Sequence, residues 1–191
     1  QPLDVEADVD ENGIIRGFLG EIRVSGTDLV KDEVRIGKLA VTIDHVGIGN
    51  HEFAAVSGGL QRVSLSMGGQ PLTLDRIELS GASDAVTAVA HLDLAASIAF
   101  LEWSFAAAGL TVSDIELVDG AVSLVVFEQR VELAMGAEDG ALIVPDIIGA
   151  GRLDLLVPRP DDQWRITGAS VTPGGIEIQA LVDAAGVLAA T

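Results

Sequence analysis

The chain offers three histidines and 29 acids as candidates for acid–base or metal chemistry, and no cysteine. Disulfides, zinc thiolate sites and thiol catalysis are excluded at once. His45, His51 and His91 belong to neither an H-x-x-x-H nor an H-E-x-x-H spacing, the arrangements that bring two imidazoles to one metal from a helix face. They read as ordinary strand or surface histidines. No serine sits in a G-x-S-x-G elbow, and the chain has neither a Walker-type loop nor a dinucleotide glycine fingerprint. Among 29 Asp and Glu residues, no glycosidase pair can be singled out by position. Asp8, Asp10, Asn12 and Gly13 copy the opening of a helix-loop calcium site, but its twelfth position needs a bidentate acid and here holds Leu19. The favoured reading is a solvated strand. In it Leu3, Val5, Ala7 and Val9 alternate with acids, and a Glu11-Asn12-Gly13 turn ends the run. No catalytic set, no metal-ligand set and no cofactor is assigned, so function has to lie in what the elements enclose.

The clearest element is a helix over 93–108, DLAASIAFLEWSFAAA. Leu94, Ile98, Leu101 and Phe105 recur at intervals of four, three and four, which sets them on one helical face. Alanines favour the helix, Asp93 is suited to its N-cap and Gly109 to the left-handed position that ends it. Trp103 lies off this stripe, as either a packed outer aromatic or an anchor at an apolar rim.

Around the helix the signal is strand after strand. From Ile14 to Ile48 apolar residues alternate, with Gly26-Thr27-Asp28 read as a turn. The alternation slips by one residue at Gly37, where a β-bulge is expected, and again after Asp44. Taken together, Val34 to Ile48 would span almost 50 Å at ~3.3 Å per residue. A short helix is allowed through Glu52–Val56. Strands resume at Val63, turn at Gly68-Gly69 and Gly81–Asp84, and lead through Val86–Leu92 into the helix. Beyond it, Asp119-Gly120 and Gly136–Gly140 mark hairpins. Residues 143–162 suggest a short helix or an extended crossing. Two alternating runs about Pro173-Gly174-Gly175 follow, and the last residues from Asp183 form a short helix or stay loose. The fold class expected is α+β: a long, highly curved antiparallel β-sheet wrapped around the principal helix.

Composition narrows the function further. The chain has 191 residues, 49% hydrophobic but only 4% aromatic, so its apolar material is mostly aliphatic. No linker divides it, and one domain over 1–191 is expected. Its apolar runs are too short to cross a membrane as helices. A net charge of −18 argues against nucleic acid and against electrostatic attachment to anionic bilayers, so any transient membrane contact must be apolar. The chain opens at Gln1 without a secretory leader, as expected if a leader has been removed or the segment trimmed.

FLGEIRVSGTDLVKDEVRIGKLAVTIDHVGI, the strand-to-helix passage HLDLAASIAFLEW, the hairpins LTVSDIELVDGAVSLVV and VELAMGAEDGALIV, and the closing WRITGASVTPGGIEIQA together resemble the LmeA-like phospholipid-binding family of bacterial envelope proteins. The resemblance implies a curved antiparallel sheet wrapping a long helix, a lipid or other apolar ligand, and a place in the cell envelope or periplasm. In the preferred reading the protein is a non-catalytic binder whose Leu94, Ile98, Leu101 and Phe105 line an elongated cavity or seal one wall of it. The alternative is a structural or interaction module with a filled β-rich core and no ligand. A weaker third is a calcium-dependent module built on Asp8–Asn12.

Overall fold

The computed structural model describes residues 3–9, 14, 16–31, 33–48, 52–67, 70–149, 151–159 and 162–183. Six strands meander at the start: β1 (Asp4–Ala7), β2 (Glu21–Lys31), β3 (Val34–Asp44), β4 (Ala55–Met67), β5 (Gln70–Ala82) and β6 (Ala85–Asp93). The chain then enters helix α1 (Leu94–Ala107). Three strands after the helix, β7 (Val112–Val118), β8 (Ala121–Val126) and β9 (Gln129–Leu133), form one small sheet. Three more, β10 (Gly136–Glu138), β11 (Ala141–Val144) and β12 (Leu153–Leu156), form another. Finally β13 (Trp164–Thr172) and β14 (Gly175–Val182) return to the meander, giving an eight-stranded antiparallel sheet in the order β1-β2-β3-β4-β5-β6-β14-β13. The class is α+β, as the sequence suggested. Of the described residues in 143–162, Ile143 and Val144 end β11 and Leu153–Leu156 form β12, with no helix between them.

Helix α1 starts and stops where its sequence says it should. Asp93 Oδ1 accepts the Ala96 N–H at 2.8 Å, satisfying one of the orphan donors of the first turn. At the other end Gly109 takes φ +77, while the Gly109 and Leu110 N–H groups donate to Ala106 O and Phe105 O, each at 2.9 Å. That pair of bonds is a Schellman stop, and Leu110 packs into the same core as Phe105.

The buried face of the helix is not the stripe expected. Ser97, Phe100, Leu101, Ser104 and Phe105 are buried, whereas Leu94 is 44% exposed and Ile98 is half-buried. Two serines lie inside because the inner face follows Ser97, Leu101 and Ser104, a spacing that a polar residue hides from an apolar count. Ser97 is satisfied there. Its hydroxyl donates to Leu92 O at 3.2 Å and accepts the Ile176 N–H at 3.0 Å, tying α1 to β6 and β14. Ser104 Oγ, 3% exposed as a residue, has no hydrogen-bond partner among the described residues. Ser104→Ala is therefore expected to stabilise the protein by about 1 kcal/mol, by deleting an unpaired buried hydroxyl and raising helix propensity. Chemical denaturation checks this, and a lower midpoint would show that the hydroxyl has a partner.

This face meets β5, β6 and β14 on one side and β7 and β12 on the other. The main core gathers there, around Leu92, Leu101, Phe105, Leu124, Leu142 and Ile176. A second, smaller cluster of Phe53, Val56 and Val86 closes the far end of the large sheet.

At Gly37, where a bulge is expected, the pairing breaks without a register shift, as part of a crease shared by four strands. Asp28, Gly37, Arg62 and Asp75 stand level on β2, β3, β4 and β5, and each drops out of the pairing while the register on either side is unchanged. Asp28 and Arg62 take positive φ, 50° and 51°. Across this crease the inward positions change parity on every strand: Val24 gives way to Leu29, Leu39 to Ile36, Leu60 to Val63 and Ile77 to Leu74. An extra residue taken by all four strands at one level turns the later side chains over without misaligning neighbours.

Three strand assignments are corrected. Gly26-Thr27-Asp28 is no turn: β2 runs through it, because Asp28 uses its positive φ for the crease. The strand read as Val34 to Ile48 stops at Asp44, where His45 takes φ +51. Glu52–Val56 contains no helix, and β4 already begins at Ala55. The Gly68-Gly69 turn and residues 184–191 lie outside the described residues.

Candidate functional site

Directly opposed residues in an antiparallel sheet share a face, so the register sorts side chains into rows that run across the strands. One inward row is Ile22, Ile43, Val56, Gly81, Val86 and Val182. Phe53 and its cluster cover it. Another is Gly26, Leu39, Leu60, Ile77, Ala90 and Ile178, four of whose members join the main core. Between them runs Val24, Val41, Gly58, Leu79, Ala88 and Ala180. Of this row only Val41 touches either cluster among the described residues; Val24, Leu79, Ala88 and Ala180 are half-buried and Gly58 is exposed. Three of its six members are glycine or alanine, so the row carries little side-chain bulk and is the floor of a candidate trough between two packed ends. Across six strands at ~4.8 Å spacing the trough is about 24 Å long.

The opposite face of the same strands is polar. Its rows carry Arg23, Thr42, Ser57, Ser80 and Thr87, then Lys38, Gln61, Arg76, His91 and Glu177. A pocket of about 250 Å³ opens there, lined by Asp75, Arg76, His91, Asp93, Thr172 and Glu177 among others. The His91 ring bridges strands, with Nδ1 3.4 Å from Glu177 Oε2 and Nε2 3.7 Å from Glu78 Oε1, and Arg76 Nε meets Glu78 Oε1 at 2.8 Å. The two carboxylates sit at opposite nitrogens of the ring and do not converge on a common point. The Thr172 hydroxyl, on the rim of the same pocket, donates to Gly175 O at 3.4 Å. Among the described residues no group of three or more His, Asp or Glu is placed to hold a metal ion.

His45 stands apart from His91, exposed, with its ring 5.4 Å from that of Phe18. His51, Asp10, Asn12 and Gly13 lie outside the described residues. The other polar cluster is Arg152, which meets Asp154 at 2.6 Å, Asp139 at 3.0 Å and Glu138 at 3.2 Å. Its hydrogen bonds to Asp154 and Asp139 raise its pKa above that of a free guanidinium, and the cluster clamps β12 to the β10–β11 hairpin.

The four residues expected to line a cavity do not share one surface. Leu101 and Phe105 are 0% and 1% exposed inside the main core, Ile98 is half-buried, and Leu94 faces solvent. Trp103 is half-buried, and Trp164 packs at the edge of the main core. Small residues at inward positions do not single out the middle row, since Gly81 stands in one row beside it and Gly26 and Ala90 in the other. Phe127 is a further feature no periodicity reveals. At the β8–β9 turn it is 71% exposed with φ +50, an unfavourable backbone for an aromatic residue.

No helix among the described residues is long and apolar enough to cross a membrane. Comparison with family models, with curated proteins and with solved structures finds no match to this chain.

Proposed function

We propose that this protein is a non-catalytic binder of an acyl chain or a similar apolar molecule, held on the inner face of the large sheet. The observation that carries the reading is the half-exposed aliphatic row between two closed clusters, backed by a mostly polar outer face. A partly exposed aliphatic strip on one face of a sheet is a place where an apolar molecule can bind. Its length matches an extended chain lying across the strands, and its small floor residues leave room for one. The four-strand crease supports a sheet that curves around α1, since bulges concentrate twist and bending. Leu101 and Phe105 then seal the wall behind the ligand, and Ile98 and Leu94 lie toward its open side. Phe127 offers an apolar point for transient membrane contact. The resemblance to LmeA-like proteins adds a phospholipid as the ligand and the cell envelope as the place.

The closed core around Leu101 and Phe105 favours the second reading, a structural module with no ligand, and one experiment separates the two. Purified protein is extracted with organic solvent for mass spectrometry and titrated with a fluorescent fatty acid. Uptake is expected, and Leu79→Asp, which puts a charge in the trough, is expected to abolish it with the circular dichroism spectrum unchanged. Absence of both bound lipid and uptake, or equal uptake by the variant, removes the lipid reading.

A further inference from the structure

Among the described residues the large sheet has one uncovered edge. At the other end β13 packs against strands β7, β8, β10 and β11 of the small sheets, but β1 pairs with β2 alone among the described residues. Pairing of β1 places Asp4 opposite Ser25, Glu6 opposite Arg23 and Ala7 opposite Ile22, and Asp8 N donates to Glu21 O at 2.8 Å. Antiparallel pairs alternate between those that exchange hydrogen bonds and those that do not. Asp4, Glu6 and Asp8 therefore turn their backbone groups toward β2, and Val5 and Ala7 turn theirs outward, to the open edge.

The side chains of this edge divide as cleanly as its backbone. Asp4 and Glu6 lie on the outer, polar face with Arg23 and Ser25, and Asp8 continues their row. All three are exposed, and none has an ion pair among the described residues, since Arg23 is engaged by Glu21. On the inner face Leu3, Val5 and Val9 are 52%, 59% and 51% exposed. Outward backbone donors and acceptors, a stripe of acid and a stripe of aliphatic side chains are the three contacts a ninth strand makes. We propose that β1 is a docking edge for an extended peptide segment in which basic residues alternate with apolar ones. The basic residues would face Asp4, Glu6 and Asp8, and the apolar ones would continue the inner face beside Val5. A second copy of this chain is the poorer occupant. Its own β1 would set acids against acids, and like charges directly opposite destabilise a strand pair.

The test is a titration of the protein with a labelled, capped heptapeptide alternating lysine and valine. Its controls are the same composition scrambled and the same pattern with glutamate for lysine. The alternating lysine peptide is expected to bind about tenfold or more tightly than either control. Val5→Pro removes an outward N–H without touching the β1–β2 ladder, as edge strands permit, and is expected to abolish binding with the melting temperature unchanged. Peptides N-methylated on their edge-facing amides should fail in the same way, and need no protein variant. Changing Asp4, Glu6 and Asp8 together to lysine should transfer the preference to the glutamate peptide. Equal binding of the scrambled peptide, or binding that survives both backbone blocks, would overturn the proposal. So would a homodimer that Val5→Pro dissolves, because the occupant would then be a second copy.

Discussion

Replacing Phe105 by alanine is expected to cost about 3–5 kcal/mol, against the usual 5–15 kcal/mol that separates folded from unfolded chains of this kind. Phe105 is 1% exposed and sits where α1 meets both the large sheet and the small ones, so the void left by its ring has no single neighbour able to collapse into it. The Schellman bond to Leu110 uses the Phe105 carbonyl and survives the substitution, so the loss reports packing and not the helix stop. Leu94 supplies the comparison, since it lies on the same apolar stripe of the sequence but is 44% exposed. Leu94→Ala is expected to change stability by no more than ~0.5 kcal/mol. Urea denaturation of the two variants measures both, with m-values held equal. Similar losses would mean that the helix is turned to present its sequence stripe to the core. In that case the closed wall behind the trough would not exist as described.

The contrast also shows what a helical sequence reveals and what it hides. The limits of α1 were legible to the residue, because Asp93 and Gly109 act through their own backbone and side-chain geometry and depend little on distant packing. The face was not. Ser97 and Ser104 are buried, and Ser97 is inside because strand residues remote in sequence, Leu92 O and Ile176 N, give its hydroxyl both an acceptor and a donor. Counting Ser97 as polar turned the expected face toward Leu94, on the solvent side.

Strands show the reverse balance. Alternation placed most of them, and the slip at Gly37 marked a break in the pairing, though not the bulge expected. Yet the same slip can be read between Leu60 and Val63 and between Leu74 and Ile77. Only the register shows these to be one crease at a common level. A positive-φ aspartate looks alike in a turn and in a bulge, which is why Gly26-Thr27-Asp28 read as the end of a strand. The candidate site was the least legible part. Half-exposed apolar residues and fully buried ones have identical alternation, so no single-sequence pattern could distinguish the trough at Val24, Gly58 and Leu79 from the closed rows beside it.

Gly58→Ala is expected to cost roughly 3 kcal/mol or more, from backbone strain and overpacking together. Gly58 has φ +123, and a Cβ built on it would lie 2.2 Å from Ala40 O and 2.9 Å from Val41 Cα. Both obstacles are backbone, so relief requires β3 to move and cannot come from a rotamer change. Moving β3 would disturb its pairing with β2 and β4 at once. Gly136 gives the control: nothing lies within 4 Å of its would-be Cβ and its φ is not positive, so Gly136→Ala should be near neutral. Thermal melts of the two variants, read beside fatty-acid uptake by whatever fraction stays folded, connect the backbone to the proposed function. Gly58 is the exposed member of the trough floor. The close approach of β3 that forbids a side chain there is also what keeps the floor bare. A Gly58→Ala protein of native stability would show that the two strands are not so tightly apposed. The width of the trough would then be set by side chains alone, and larger residues at Ala88 or Ala180 should close it just as well.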